Sequence, residues 1–252
     1  MEKSAPTAPN RPVADRRFYA FATGLLLVLT VAGFHHFYLH GRASPGREIT
    51  PPIRGLVLTH GALMTIWLLL ALAQPWLVAT RNVKLHRRLG LFGAGLAIVL
   101  VAVGLRIAVA SAAVTPAGVM IGPLTPRQFM AVPFLGILLF AALVTLGVRL
   151  RADAGWHRPL MFLATLSVCA AGLGRIQSLT DFFVRHGWYG VFGDFCGVVT
   201  FGALAVVAHG ALTRRFDRRL AAGFAAFAVA CTAIAQATTS ASWAAVADVL
   251  LR

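Results

Sequence analysis

Charge is scarce in this chain. Only 12% of the 252 residues are Asp, Glu, Lys or Arg, about half the roughly 25% usual for a soluble domain. The eight acidic residues are outnumbered by 23 basic ones, for a net charge of +15. Lysine is confined to Lys3 and Lys84, both outside the apolar runs, which excludes a retinal Schiff base on a last helix. The three cysteines, Cys169, Cys196 and Cys231, form no CxxC pair; a disulfide scaffold is excluded and they read as small buried hydrophobes. No P-loop lysine motif, GxSxG or HExxH is present, so a P-loop nucleotidase, a nucleophile-elbow hydrolase and a zincin are set aside. No apolar run carries regularly spaced arginines, which excludes a voltage sensor.

What the chain has in quantity is apolar length. It is 58% hydrophobic with a mean hydropathy of +0.77, and it holds several apolar runs near 20 residues, the length that crosses a bilayer. The runs are continuous rather than alternating, which argues against a β-barrel. The expectation is an all-α, polytopic transmembrane helical bundle with seven spans, at about 18–39, 56–79, 89–110, 129–148, 159–176, 190–212 and 220–239, the last Ala-rich. Residues 1–17 read as a flexible basic tail, 18–243 as the transmembrane domain and 244–252 as a short C-terminal tail. The first run ends without a small-residue cleavage site and reads as an uncleaved helix. Gly90 and Gly93 are small residues that let helices approach in lipid. Pro159 suits a first helical turn, and Trp243 an interfacial position.

Basic residues alternate between the connections. With the N-terminus cytoplasmic, the inner segments carry Lys3, Arg11, Arg16 and Arg17; Arg81, Lys84, Arg87 and Arg88; Arg149, Arg151 and Arg158; and Arg214, Arg215, Arg218 and Arg219, fifteen of the 23. The positive-inside rule then gives an N-in, C-out, multi-pass protein of the inner membrane. Its charge suits the lipid bilayer and the anionic headgroups of the cytoplasmic face, not nucleic acid.

This topology sorts the polar residues. His60, Trp67 and Gln74 are seven apart and stay within roughly 40° of one helix face, so they mark an interior polar path. His36, His40, His60 and Asp194 fall near the outer face, where imidazole and carboxylate suit a transition metal; Asp194 alternatively pairs with Arg175 or Arg106. On the inner side, His86, His157 and His209 fall at similar depth. Leu85-His86-Arg87-Arg88-Leu89 and Trp156-His157-Arg158-Pro159-Leu160 look alike, a faint repeat that also reads as two helix-start anchors. With His60, these three histidines are candidate haem ligands, and an adjacent Arg is placed for a propionate. His157 and Arg175, 18 residues apart, can face one interior path. Gln74 precedes Pro75 and either satisfies the carbonyl the proline frees or reaches a substrate or His209. No catalytic residue is indicated.

The pattern His60…Trp67…Gln74…Leu85-His86-Arg87-Arg88-Leu89-Gly90, with Trp156-His157-Arg158-Pro159-Leu160-Met161 and Arg175, resembles a group of uncharacterised bacterial integral membrane proteins over roughly residues 56–176. That resemblance implies a fold and a membrane location but no chemistry. More loosely, histidines on several helices resemble membrane haem proteins, the haem A synthase family and the cytochrome b-type ferric reductases; Val83 and Lys84 stand where the former carries acidic residues. The leading expectation is a redox protein binding haem b or a transition metal through histidines near the membrane faces. The alternative is a small-solute transporter, or a structural or assembly subunit, without a cofactor, with Gln74, Asp194 and Arg175 lining a path.

Overall fold

The computed structural model describes residues 11–44, 47–116 and 118–252. It is a helical bundle. In chain order it contains α1 (Arg11–Gly33), α2 (His35–His40), the short hairpin β1 (Arg42–Ser44) and β2 (Arg47–Glu48), α3 (Arg54–Ala79) and α4 (Val83–Val114). There follow α5 (Pro126–Phe129), α6 (Ala131–Arg149), α7 (Ala154–Val168), α8 (Ala170–Leu173), α9 (Gln177–Arg185) and α10 (Tyr189–Phe192). A 3-10 turn (Gly193–Phe195) leads into α11 (Cys196–Thr213), and α12 (Arg218–Ala237) and α13 (Ala241–Leu250) complete it. The expected tail residues 1–10 lie outside the described residues, and α1 begins at Arg11.

Among the described residues, five helical segments are long and apolar enough to cross a membrane: Arg54–Ala79, Val83–Val114, Pro126–Arg149, Tyr189–Thr213 and Arg218–Ala237. Each turns bulky apolar side chains outward, among them Leu69 and Trp76 on α3, Leu91 and Ile98 on α4, Leu204 and Val207 on α11, and Val229 on α12. Apolar side chains facing out all along a helix need lipid, not water, as their solvent. The expected first and fifth spans are shorter. The apolar part of α1 is Arg17–Gly33, and the fifth is broken at Cys169 into α7 and α8.

Inside, Leu26, Leu100, Phe140, Leu163, Phe195 and Phe227 are fully buried and knit the long helices into one core. Small residues set the closest approaches. Gly93 faces the Leu70 side chain of α3, whereas Gly90 faces open space, so only one of the two glycines expected to allow close packing does so. At the far end of α1, a Cβ on Gly33 would overlap the carbonyl oxygen of Gly172 in α8.

The helix starts at the basic end are earlier than the hydropathy pattern suggests, because polar caps decide them. Asn82 caps α4 by accepting from the Leu85 N–H at 3.2 Å, Asp153 caps α7 through Gly155 at 2.9 Å, and Asp217 caps α12 through Arg219 and Leu220. Such caps satisfy N–H groups that have no partner within the helix. Pro159 therefore lies inside α7 rather than at its first turn. The C-terminal residues also differ from the expectation. They form α13, whose Trp243 is buried and donates its indole N–H to the Arg127 carbonyl at 3.0 Å, while Arg127 pairs with Asp248. Trp243 is thus a packing residue.

Candidate functional site

Two of the caps place two histidines alike. His86 follows its cap Asn82 by four residues and His157 follows Asp153 by four, and each backbone N–H closes the first helical bond onto its cap residue's carbonyl, at 3.1 and 2.9 Å. The resemblance between the two sequence turns is therefore a shared helix-start geometry. The packing of α4, α6 and α7 then brings the two imidazoles together. Their ring centroids are 6.4 Å apart and the rings nearly perpendicular, at 88°.

Each ring is held from behind. The His157 Nδ1 lies 2.8 Å from the Gly147 carbonyl oxygen of α6; a carbonyl only accepts, so Nδ1 carries the proton and Nε2 is the acceptor. His86 is held by Gln74 of α3. With its amide oriented to suit its neighbours, Gln74 donates to the His86 Nδ1 and to the His86 carbonyl, 3.3 Å away, and its oxygen accepts from the Gly90 N–H at 3.1 Å. In this arrangement His86 Nδ1 is an acceptor, which leaves the proton on Nε2. The pair is thus complementary, one ring presenting a donor at Nε2 and the other an acceptor. The partners found for the Gln74 amide among the described residues are thus on α4.

The other expected ligands lie elsewhere. His209 is buried in an aromatic box, 4.9 Å from the Phe18 ring and 6.1 Å from Tyr19. Equal depth along different helices did not bring it to His86 and His157. His60 is fourteen residues before Gln74 on α3, about 21 Å of helix away, and its buried Nδ1 has no hydrogen-bond partner among the described residues. Trp67, between them, is 3% exposed and stands edge-on to Phe140 at 4.8 Å; its indole N–H also lacks a partner among the described residues. Along α3, Trp67 is buried and His60 and Gln74 are half-buried, and Gln74 is the one of the three whose side chain has hydrogen-bond partners among the described residues.

At the opposite end, α2 carries His36 and His40 with ring centroids 5.8 Å apart, and His35 lies 4.0 Å from His36. Desolvation, and then the positive neighbours His35, His40 and Arg42, hold the His36 imidazole below its ordinary range. Among the described residues, no three or more His, Cys, Asp or Glu side chains are grouped to hold a metal ion, so His36, His40, His60 and Asp194 do not form the expected set. Asp194 instead accepts from the Tyr189 hydroxyl at 3.2 Å. Arg175 stacks on Phe34 at 4.5 Å, donates to the Ala171 carbonyl at 2.7 Å, and lies close enough for its charge to act on Asp194. Because the fifth span is broken, His157 and Arg175 do not share one continuous helix face.

Sequence reasoning missed the Gly147 carbonyl behind His157 and the Tyr189 hydroxyl on Asp194. The first has no side-chain signal; the second was legible as a Tyr five residues before the buried carboxylate. Compared with protein-family models, with curated proteins and with solved structures, the chain matches none.

Proposed function

We propose that the protein is an inner-membrane protein crossing seven times with its N-terminus cytoplasmic, and that its working site is the Gln74–His86–His157 cluster, where the imidazole pair passes protons between the cytoplasmic face and the interior face of α3. The activity class is proton-coupled movement of a small solute. The seven crossings are α1, α3, α4, α6, α7 with α8, α11 and α12, and the basic caps and turns meet anionic headgroups, each cation near the surface contributing about 1 kcal/mol. The observation that carries the reading is the imidazole pair itself, ring centroids 6.4 Å apart, with Gln74 against one ring and the Gly147 carbonyl against the other, from which the complementary tautomers are assigned. Imidazole exchanges protons near neutral pH, and ionisable groups inside a membrane bundle mark proton or substrate routes.

The test is proton uptake into liposomes holding the purified protein, followed with an entrapped pH dye. His86→Ala or His157→Ala should slow uptake by roughly 10²-fold, the size of a lost acid–base group, while Gln74→Leu should slow it less. Unchanged uptake in both histidine variants, with folded protein, would reject the reading.

A second reading puts a metal or haem on the same pair. The His157 Nδ1–H on the Gly147 carbonyl is the usual outer support of a metal-bound histidine; His86 would join it as a ligand only in its other tautomer, with Gln74 turned to accept from the Nδ1–H. An absorption spectrum and elemental analysis separate the two. A haem band or near-stoichiometric iron, copper or zinc that disappears in His86→Ala favours this reading over the first.

A further inference from the structure

Among the described residues, Asp194 is the carboxylate that lies inside one of the five long apolar segments. A carboxylate there is costly and marks an ion or proton route by default. The backbone around it is irregular. Gly193, at φ +52°, ends α10 and starts the 3-10 turn, in a region that a side chain would resist. Facing this break is the other broken helix, since Gly174 after α8 lines the same pocket as Asp194. Discontinuous helices around a polar group are the form that membrane carriers give to ion-binding sites.

Between the two breaks is a pocket the size of about one water molecule, lined by Thr180, Phe183, Tyr189, Asp194 and Cys196 among others. α11 runs from this pocket to the basic end, so the pocket and the imidazole pair occupy opposite ends of the bundle. The groups facing the carboxyl come from every neighbouring element. Tyr189 of α10 donates to Oδ2, and Arg175 supplies a positive charge that bears on it. Cys196 of α11 shares the pocket. α9 offers the uncharged Thr180 and Phe183, and α12 offers Ala235 and Gln236, whose amide donates to the Gly190 and Val191 carbonyls at 3.1 Å.

We infer that Asp194, held by Tyr189, is a proton-binding station at the end of the bundle opposite the imidazole pair. This rests on the proton-handling reading above. The step is a simple transfer: a hydronium ion in the pocket gives a proton to a carboxylate oxygen, an O–H bond forms, and one water is left. Release reverses it. Arg175 stays charged throughout and keeps the deprotonated state from being an isolated negative charge in the apolar span.

The test is the infrared difference spectrum of the full chain in phosphatidylcholine vesicles across a pH step. A protonated-carboxyl stretch should appear on acidification, vanish in Asp194→Asn, return shifted in Asp194→Glu and move to higher frequency in Tyr189→Phe, which removes a hydrogen bond. A band unchanged in Asp194→Asn would overturn the inference. If Asp194→Asn does not fold, an apolar carbodiimide on the wild-type protein serves instead. Labelling mapped to Asp194 and suppressed at alkaline pH supports it, and no label at Asp194 overturns it. Slow uptake in His86→Ala with no Asp194 band sinks this inference alone; an Asp194 band with normal uptake in His86→Ala sinks the imidazole reading alone.

Discussion

The two ends of the bundle are built differently. At the basic end the helices start cleanly on Asn82, Asp153 and Asp217, and His86 and His157 each have one ring nitrogen engaged, by Gln74 and by the Gly147 carbonyl. At the other end, helices break. α1 gives way to α2, α7 to α8, and α10 to a 3-10 turn, and His60 keeps a buried nitrogen without a partner among the described residues. Regular caps stabilise an end; breaks expose backbone and leave room for a carboxyl among apolar neighbours. Charge count alone points to the basic end as the interesting one, yet the irregular end holds Asp194, a carboxylate within one of the long apolar segments.

That contrast can be broken by substitution, starting with the largest effect. Gly33→Ala at the irregular end drives a methyl into the Gly172 carbonyl and should cost about 1–3 kcal/mol or more. Gly90→Ala at the basic end meets open space and should gain about 0.5–1 kcal/mol. Denaturation midpoints in detergent compare the two, and equal losses would erase the distinction. Asp153→Ala removes both the α7 cap and the 2.6 Å ion pair with Arg219; a loss of about 1–2 kcal/mol is expected, since the exposed pair adds little. Arg81 holds φ +63° at the end of α3, so Arg81→Gly should gain about 1 kcal/mol by relieving the left-handed backbone, measurable in the same melts.

The smallest effect is electrostatic. His36 should titrate below 6.5 in an NMR pH series. Folding disfavours its protonated form, so its contribution is intact above 6.5 and lost as pH falls from there through the lower folded value. A midpoint at or above 6.5 would mean that His35, His40 and Arg42 do not act on it as placed.

Much of this architecture was legible in the residues. Apolar run length locates the long helices, and the basic turns mark one end, because both signals are local. The likeness of the His86 and His157 turns was also visible, as was the α3 face of His60, Trp67 and Gln74. What was not legible depends on packing between distant segments. Depth along a helix does not say which way a ring points, so His209 was grouped with two histidines it does not meet. The break at Cys169 has no proline to announce it. α13 is fixed by Arg127, more than a hundred residues earlier in the chain, and short Ala-rich sequence gives no hint of that partner.

Gln74 contacts both atoms of a single helical hydrogen bond, the His86 carbonyl and the Gly90 N–H. Sliding α3 against α4 by one turn, about 5.4 Å, would part the amide from the His86 ring nitrogen and lose that hydrogen bond in apolar surroundings. The α3–α4 hairpin therefore carries its own alignment mark. It can settle into register as soon as both helices have entered the bilayer, before the later helices are synthesised, and the later helices then assemble against a surface whose offset is already decided.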